Sequence, residues 1–163
     1  MANCCEYTMQ IVGQTKESVE RLLDILNYKD KEFFIYRVQY VDTLESPHEE
    51  DGLWVAKVLG DVAWSAHNWV NGETDKNHKS ETGAYYTNLP TVCKELNVAV
   101  EIWTRECGFQ FQEYIVVNNL GEVPCNDCES WELEYDENME VKEEKGGFDS
   151  WGEWSYPHEI FVK

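Results

Sequence analysis

Tyr7-Thr8-Met9-Gln10-Ile11-Val12-Gly13 alternates apolar and polar residues and stops at glycine, which reads as a half-buried strand ending in a turn. Thr15 follows as a helix cap, with Glu17 placed to favour the positive end of the helix dipole. Val19, Leu22, Leu23 and Leu26 then recur at i, i+3, i+4 and i+7, one apolar helical stripe. Phe33 to Val41 is rich in aromatic and β-branched residues and reads as a second strand. The chain therefore opens β-α-β.

The same order recurs downstream. Ser46 to Gly52 reads as a polar loop, and Leu53 to Val58 and Asp61 to Ala66 as strands parted by Leu59-Gly60. Asn71 to Gly83 is polar and loop-like. Leu89, Val92, Cys93 and Leu96 give a short helical stripe, with Pro90 in the tolerated first turn. Val98 to Thr104 and Gln110 to Val117 alternate around Glu106-Cys107-Gly108, a β-hairpin whose first strand is expected antiparallel beside the opening strand. Trp131, Leu133 and Tyr135 alternate with acids and suggest one more strand. Two β-α-β units predict an α+β fold, a ferredoxin-like antiparallel sheet with both helices on one face. We assign residues 1–123 to this domain and 124–163 to an acidic, aromatic-rich C-terminal extension packed on it.

Charge narrows the partner class. Thirteen Lys and Arg stand against 32 Asp and Glu, a net charge of −19 over 163 residues. Salt-driven binding to nucleic acid or to anionic lipid needs clustered cations, so direct contact with either is not expected. No apolar run is long enough to span a bilayer, and Met1 to Tyr7 lacks the cationic and apolar regions of a signal peptide. A reducing cytosol is the expected compartment.

The opening Met1-Ala2-Asn3-Cys4-Cys5-Glu6-Tyr7, the strand to Gly13 and the helix from Lys16 to Asn27 resemble a group of small proteins from phages and mobile elements. Ala63-Trp64-Ser65-Ala66-His67-Asn68-Trp69 and the stretch from Leu89 to Val123, ending Asn-Leu-Gly-Glu-Val, are similar to that group as well. Cys-Cys stands where the group usually has Trp-Cys, and the end from Pro124 lies outside the likeness. The resemblance implies a ferredoxin-like domain and a mobile-element setting, and carries over no catalytic residue. In type rather than sequence, a small, strongly acidic chain of this kind looks like an anti-CRISPR inhibitor. Such a protein is expected to be non-enzymatic, to act in the cytoplasm of a bacterial host, and to occupy the basic surface of an effector nuclease such as Cas9 so that nucleic acid cannot load. A small zinc-binding interaction domain and an unrecognised metal-dependent enzyme stand as alternatives.

Two groups of residues carry those expectations. Cys125-Asn126-Asp127-Cys128 offers two thiols at metal-ligand spacing, half of a tetrahedral zinc site. Cys107 at the hairpin turn and Cys5 before the first strand would complete it, with His67 and His78 as substitutes. The six cysteines read equally well as free cytosolic thiols, whereas a redox pair would need a helix N-terminus where Glu129 and further acids stand. The second group is the acidic run Glu129, Glu132, Glu134, Asp136, Glu137 and Glu140. Glu132, Glu134 and Asp136 share one face of a strand at roughly 6.5–7 Å intervals, close to the spacing of phosphates along nucleic acid. Trp151 and Trp154 are candidate interface anchors, or staples holding the tail to the domain. Glu45, Glu49, Glu50 and Asp51 match no calcium loop and read as a solvated turn. No GxSxG or phosphate-binding glycine loop is present.

Overall fold

In the computed structural model, residues 4–163 are described; Met1, Ala2 and Asn3 of the opening quoted above lie outside the described residues. The fold is α+β. A seven-stranded antiparallel sheet and a three-stranded sheet are joined by four short helices. Among the described residues no helix is long and apolar enough to cross a membrane.

The central strand is β1 (Cys4–Gly13), and it pairs antiparallel on both sides. On one side lies β4 (Leu53–Ala63), followed outward by β3 (Val38–Glu50). On the other lie β7 (Val98–Glu106), β8 (Phe111–Val117), β9 (Cys125–Tyr135) and the edge strand β10 (Val141–Gly146). The register sets Tyr7 opposite Thr104 and Met9 opposite Ile102, so the hairpin β7–β8 sits where its alternation placed it.

One face of this sheet carries the two longer helices. α1 (Lys16–Leu26) is capped by the Thr15 hydroxyl, which accepts from the Ser18 amide. It buries Val19, Leu22, Ile25 and Leu26; Leu23, placed on the stripe by spacing, is only partly covered. α3 (Leu89–Leu96) is capped by Asn88 and buries Leu89, Val92, Cys93 and Leu96. Both pack on Tyr7, Met9, Ile11, Val100, Ile102 and Ile115 in one core.

Three stretches differ from the sequence reading. Ser46 to Glu50 is strand, because β3 runs on past three register shifts to a tight turn at Asp51-Gly52. As an edge strand it needs no apolar alternation, and its carboxylates and Pro47 block further pairing. Leu53 to Ala63 is one strand rather than two. Gly60 does not break it but admits a close approach: a Cβ there would lie 1.9 Å from the Tyr40 carbonyl oxygen. The stretch 33–41 is two strands rather than one: Phe33–Phe34 (β2) joins the small sheet with β6 (Tyr85–Tyr86) and β5 (Asp75–Lys79), and Val38 to Val41 opens β3 in the large sheet. The 71–83 loop therefore holds β5, preceded by α2 (His67–Asn71).

The opposite face of the large sheet is covered by the chain after β10. α4 (Pro157–Ile160) and Phe161 pack on Val12, Leu53, Val55, Ala99 and Val116. Residues 124–163 therefore belong to the same body as the rest: β9 and β10 extend the sheet, and the final segment closes its second face.

Candidate functional site

β9 brings the predicted thiols and the first acids into one strand, and strand geometry decides what each can do. Successive side chains alternate between faces, so residues three apart point to opposite sides. Cys125 lies opposite Val116 and packs beside Tyr114 on the tail-covered face. Cys128 lies opposite Glu113, whose neighbour across β7–β8 is Thr104 on the helix face. Cys5 is on that helix face too, fully buried, while Cys107 is exposed in the β7–β8 turn. The four do not converge, and among the described residues no three His, Cys, Asp or Glu side chains group as metal ligands. Zinc held by Cys125 and Cys128 together would require β9 to unpair between them.

The thiols are also held protonated. Burial, reinforced by Glu113 and Glu106, pushes Cys5 up to about 12. Burial and the Asp127 carboxylate push Cys125 up to about 11. Cys128 is raised by burial, then by Glu113 and Glu129, and Cys107 chiefly by burial. A redox role for the CxxC finds no support in this electrostatic setting. His67 bonds Asn126 between the two cysteines, Nδ1 to Oδ1 at 2.9 Å, and Asn71 donates to its Nε2. His78 stands elsewhere, among aromatic rings of the small sheet.

The acids lie on an exposed edge of the large sheet. From Glu129 to Lys145 the hairpin β9–β10 carries eight carboxylates and two lysines, and every residue of β10 is exposed. Glu134 faces Glu143 across the strands, and Glu132 faces Lys145. Lys145 bridges Glu134 at 3.0 Å and Glu143 at 3.6 Å, and Lys142 reaches Glu134 at 3.7 Å. Asp136 is committed to the turn, accepting from the amides of Asn138 and Glu140. Among the described residues Glu129, Glu132, Glu137 and Glu140 make no ion pair, and they supply the outward field of the hairpin.

The two tryptophans differ. Trp151 is half-buried, donates from Nε1 to the Thr104 carbonyl at 2.9 Å, and lies near the Arg105 guanidinium. Arg105 in turn sits 3.8 Å over the buried Trp131 ring and bridges Glu144 at 2.8 Å. Trp154 is also half-buried and lines a shallow concavity of about 340 Å³ with Trp103, Tyr114 and Asp127. Beneath it Glu101, wholly buried, accepts from Gln10, Tyr114 and both the amide and hydroxyl of Ser155.

A third feature escaped the sequence reading. Tyr28, Phe34, Tyr36, His78 and Tyr86 cluster at the small sheet with ring centroids 5.5–6.3 Å apart. Two adjoining concavities of about 350 and 480 Å³ meet at Tyr36 and His78. The signal available was the aromatic density of Phe33 to Tyr36, read above only as strand, and of Tyr85-Tyr86.

No protein-family model matches this chain, and no match to it was found among curated proteins or solved structures.

Proposed function

We propose that this chain is a non-enzymatic binding protein that occupies the basic, phosphate-accepting surface of a nucleic-acid-targeting nuclease and thereby blocks loading. A CRISPR effector such as Cas9, met in the cytoplasm of a bacterial host, is the partner that the sequence type suggests. The observation that carries the reading is the β9–β10 hairpin: an exposed sheet edge with eight carboxylates and two lysines on a chain of net charge −19. Carboxylates in such a field are steered to a cationic channel and compete there with phosphate. The strand order β7-β1-β4-β3 with α1 and α3 on one face supports a ferredoxin-like core, to which β8, β9 and β10 are added along one edge. On this reading the core is scaffold and the added edge is the contact.

Titration against a susceptible nuclease tests it. A surface blocker needs at least one copy per target, and its association slows as salt rises, since exposed charges are screened within about 8 Å at physiological ionic strength. Combined reversal of Glu132, Glu137 and Glu140 to Lys should cut the association rate more than it speeds dissociation. Full inactivation of a tenfold excess of nuclease, or binding indifferent to salt, refutes the proposal.

A further inference from the structure

We propose that the aromatic cleft at the small sheet is a separate small-molecule site for a nucleobase carrying a phosphate, its ring stacked on Tyr36 and its phosphate beside Arg37. The combined volume of the two concavities suits a ligand of nucleotide size.

Arg37 is the first reason. The chain has three arginines among a large excess of acids. Arg21 pairs with Asp30 and Glu32, and Arg105 pairs with Glu144. Among the described residues Arg37 has no ion pair. It lies over the Tyr36 ring, 5.7 Å from guanidinium to centroid, on the wall of the cleft. In so acidic a protein, a guanidinium left without a carboxylate is available to an anion. Among the described residues Lys79, on the adjoining wall, also lacks an ion pair, and Glu81 is the one carboxylate lining the cleft.

Backbone conformation is the second. Arg37 has φ of 71°. Side chains this large seldom occupy the left-handed region, and such residues persist where the surroundings hold them and gather at ligand sites. Arg37, held in this conformation, lies on the cleft wall next to the exposed ring of Tyr36.

Ring and amide chemistry is the third. Tyr36 offers an accessible ring backed by His78 and Tyr86, and bases of any identity stack on such a platform. The Asn68 and Asn71 amides line the same wall and can meet the hydrogen-bonding edge of a base. Arg37 beside the ring disfavours a cationic ligand. The net charge of −19 opposes a polymer of phosphates far more than one phosphate, which favours the free mononucleotide over a strand end.

Isothermal titration of the full chain with AMP, adenosine, inorganic phosphate, a 5′-phosphorylated oligodeoxyadenylate and trimethyllysine separates these. AMP should bind better than adenosine and phosphate, each of which presents half of the ligand. A tighter AMP than oligonucleotide assigns the free nucleotide, and the reverse order assigns a strand end. Tyr36→Ala should weaken AMP about tenfold while Tyr36→Phe retains it. Arg37→Gly supplies a readout that a structural role would not give. Removing a strained side chain should hold or raise the unfolding midpoint, whereas AMP affinity should fall about tenfold. The site is refuted if AMP does not bind at millimolar concentration, if phosphate alone binds as tightly, if trimethyllysine binds better, or if Arg37→Gly leaves AMP affinity intact.

Discussion

The two faces of the large sheet are closed by different physics. The helix face is sealed by periodic apolar side chains: Val19, Leu22, Ile25 and Leu26 from α1, and Leu89, Val92 and Leu96 from α3, on the inward residues of β1, β7 and β8. The opposite face is sealed by an aperiodic segment held at discrete points. Trp103 Nε1 donates to the Glu153 carbonyl at 2.9 Å, Trp151 Nε1 to the Thr104 carbonyl, and Ser155 to Glu101. Asn119 exchanges two hydrogen bonds with the backbone of Val162, and His158 Nε2 bonds the Asp51 carbonyl oxygen. Burial spread over many atoms tolerates change by degrees, whereas a buried hydrogen-bond node fails when one member is lost.

Substitution on each face breaks the comparison in its own way. Leu22→Ala removes a fully buried side chain from the helix face and should cost about 2–5 kcal/mol in chemical denaturation, with the native fold otherwise kept. Glu101→Ala should cost somewhat less, about 1–3 kcal/mol, because it leaves the Ser155 amide and the Ser155 and Tyr114 hydroxyls without their acceptor. Its signature is local: amide exchange should rise in residues 148–161 and stay unchanged in α1. Equal exchange in both would mean that the tail is not a separate closure.

Asp30 sharpens the comparison through pH. Burial on its own would raise its carboxyl, but donation from Arg21 and from the Phe33 and Glu32 amides together outweighs this and holds it below the usual carboxylate range. A depressed folded value means that the stabilisation is present above the unfolded value of about 4 and is lost as pH falls through the folded one. Asp30→Asn should therefore flatten the stability profile below about pH 4, measured by thermal unfolding across pH. The smallest effect is expected at Cys128. Its exposed thiol makes Cys128→Ser a surface change within about 0.5 kcal/mol, whereas a zinc ligand lost at that position would cost several. Unfolding measured with and without added zinc decides between them.

Legibility followed the same division. The hairpin β7–β8, its place beside β1, and both helix stripes were readable, because burial on one face imposes a period on the residues themselves. The edge strands were not. β10, Val-Lys-Glu-Glu-Lys-Gly, is exposed throughout, and the solvent side of β3 imposes no alternation. The CxxC motif was legible as chemistry and illegible as geometry, since its ligand spacing presumes a turn and β9 is a strand there. The acidic hairpin was found by its charge and, in β9, by the alternation of Trp131, Leu133 and Tyr135 with acids. What composition did not reveal was that Lys142 and Lys145 fold onto its centre and that Asp136 is spent on its turn. The aromatic cleft arises from residues 28 to 86 meeting through tertiary structure, which no local pattern announces.

The closing segment also bears on how partly folded chains behave. Residues 147–161 follow all seven strands of the sheet they cover, so any form of the chain in which they have not docked leaves Ala99, Trp103 and Val116 open to water. In that form the chain presents an uncovered apolar surface, the kind of patch through which partly folded chains associate. The carboxylates of β9 and β10 stand at the edge of that same sheet, and like charge there opposes the close approach of a second open chain.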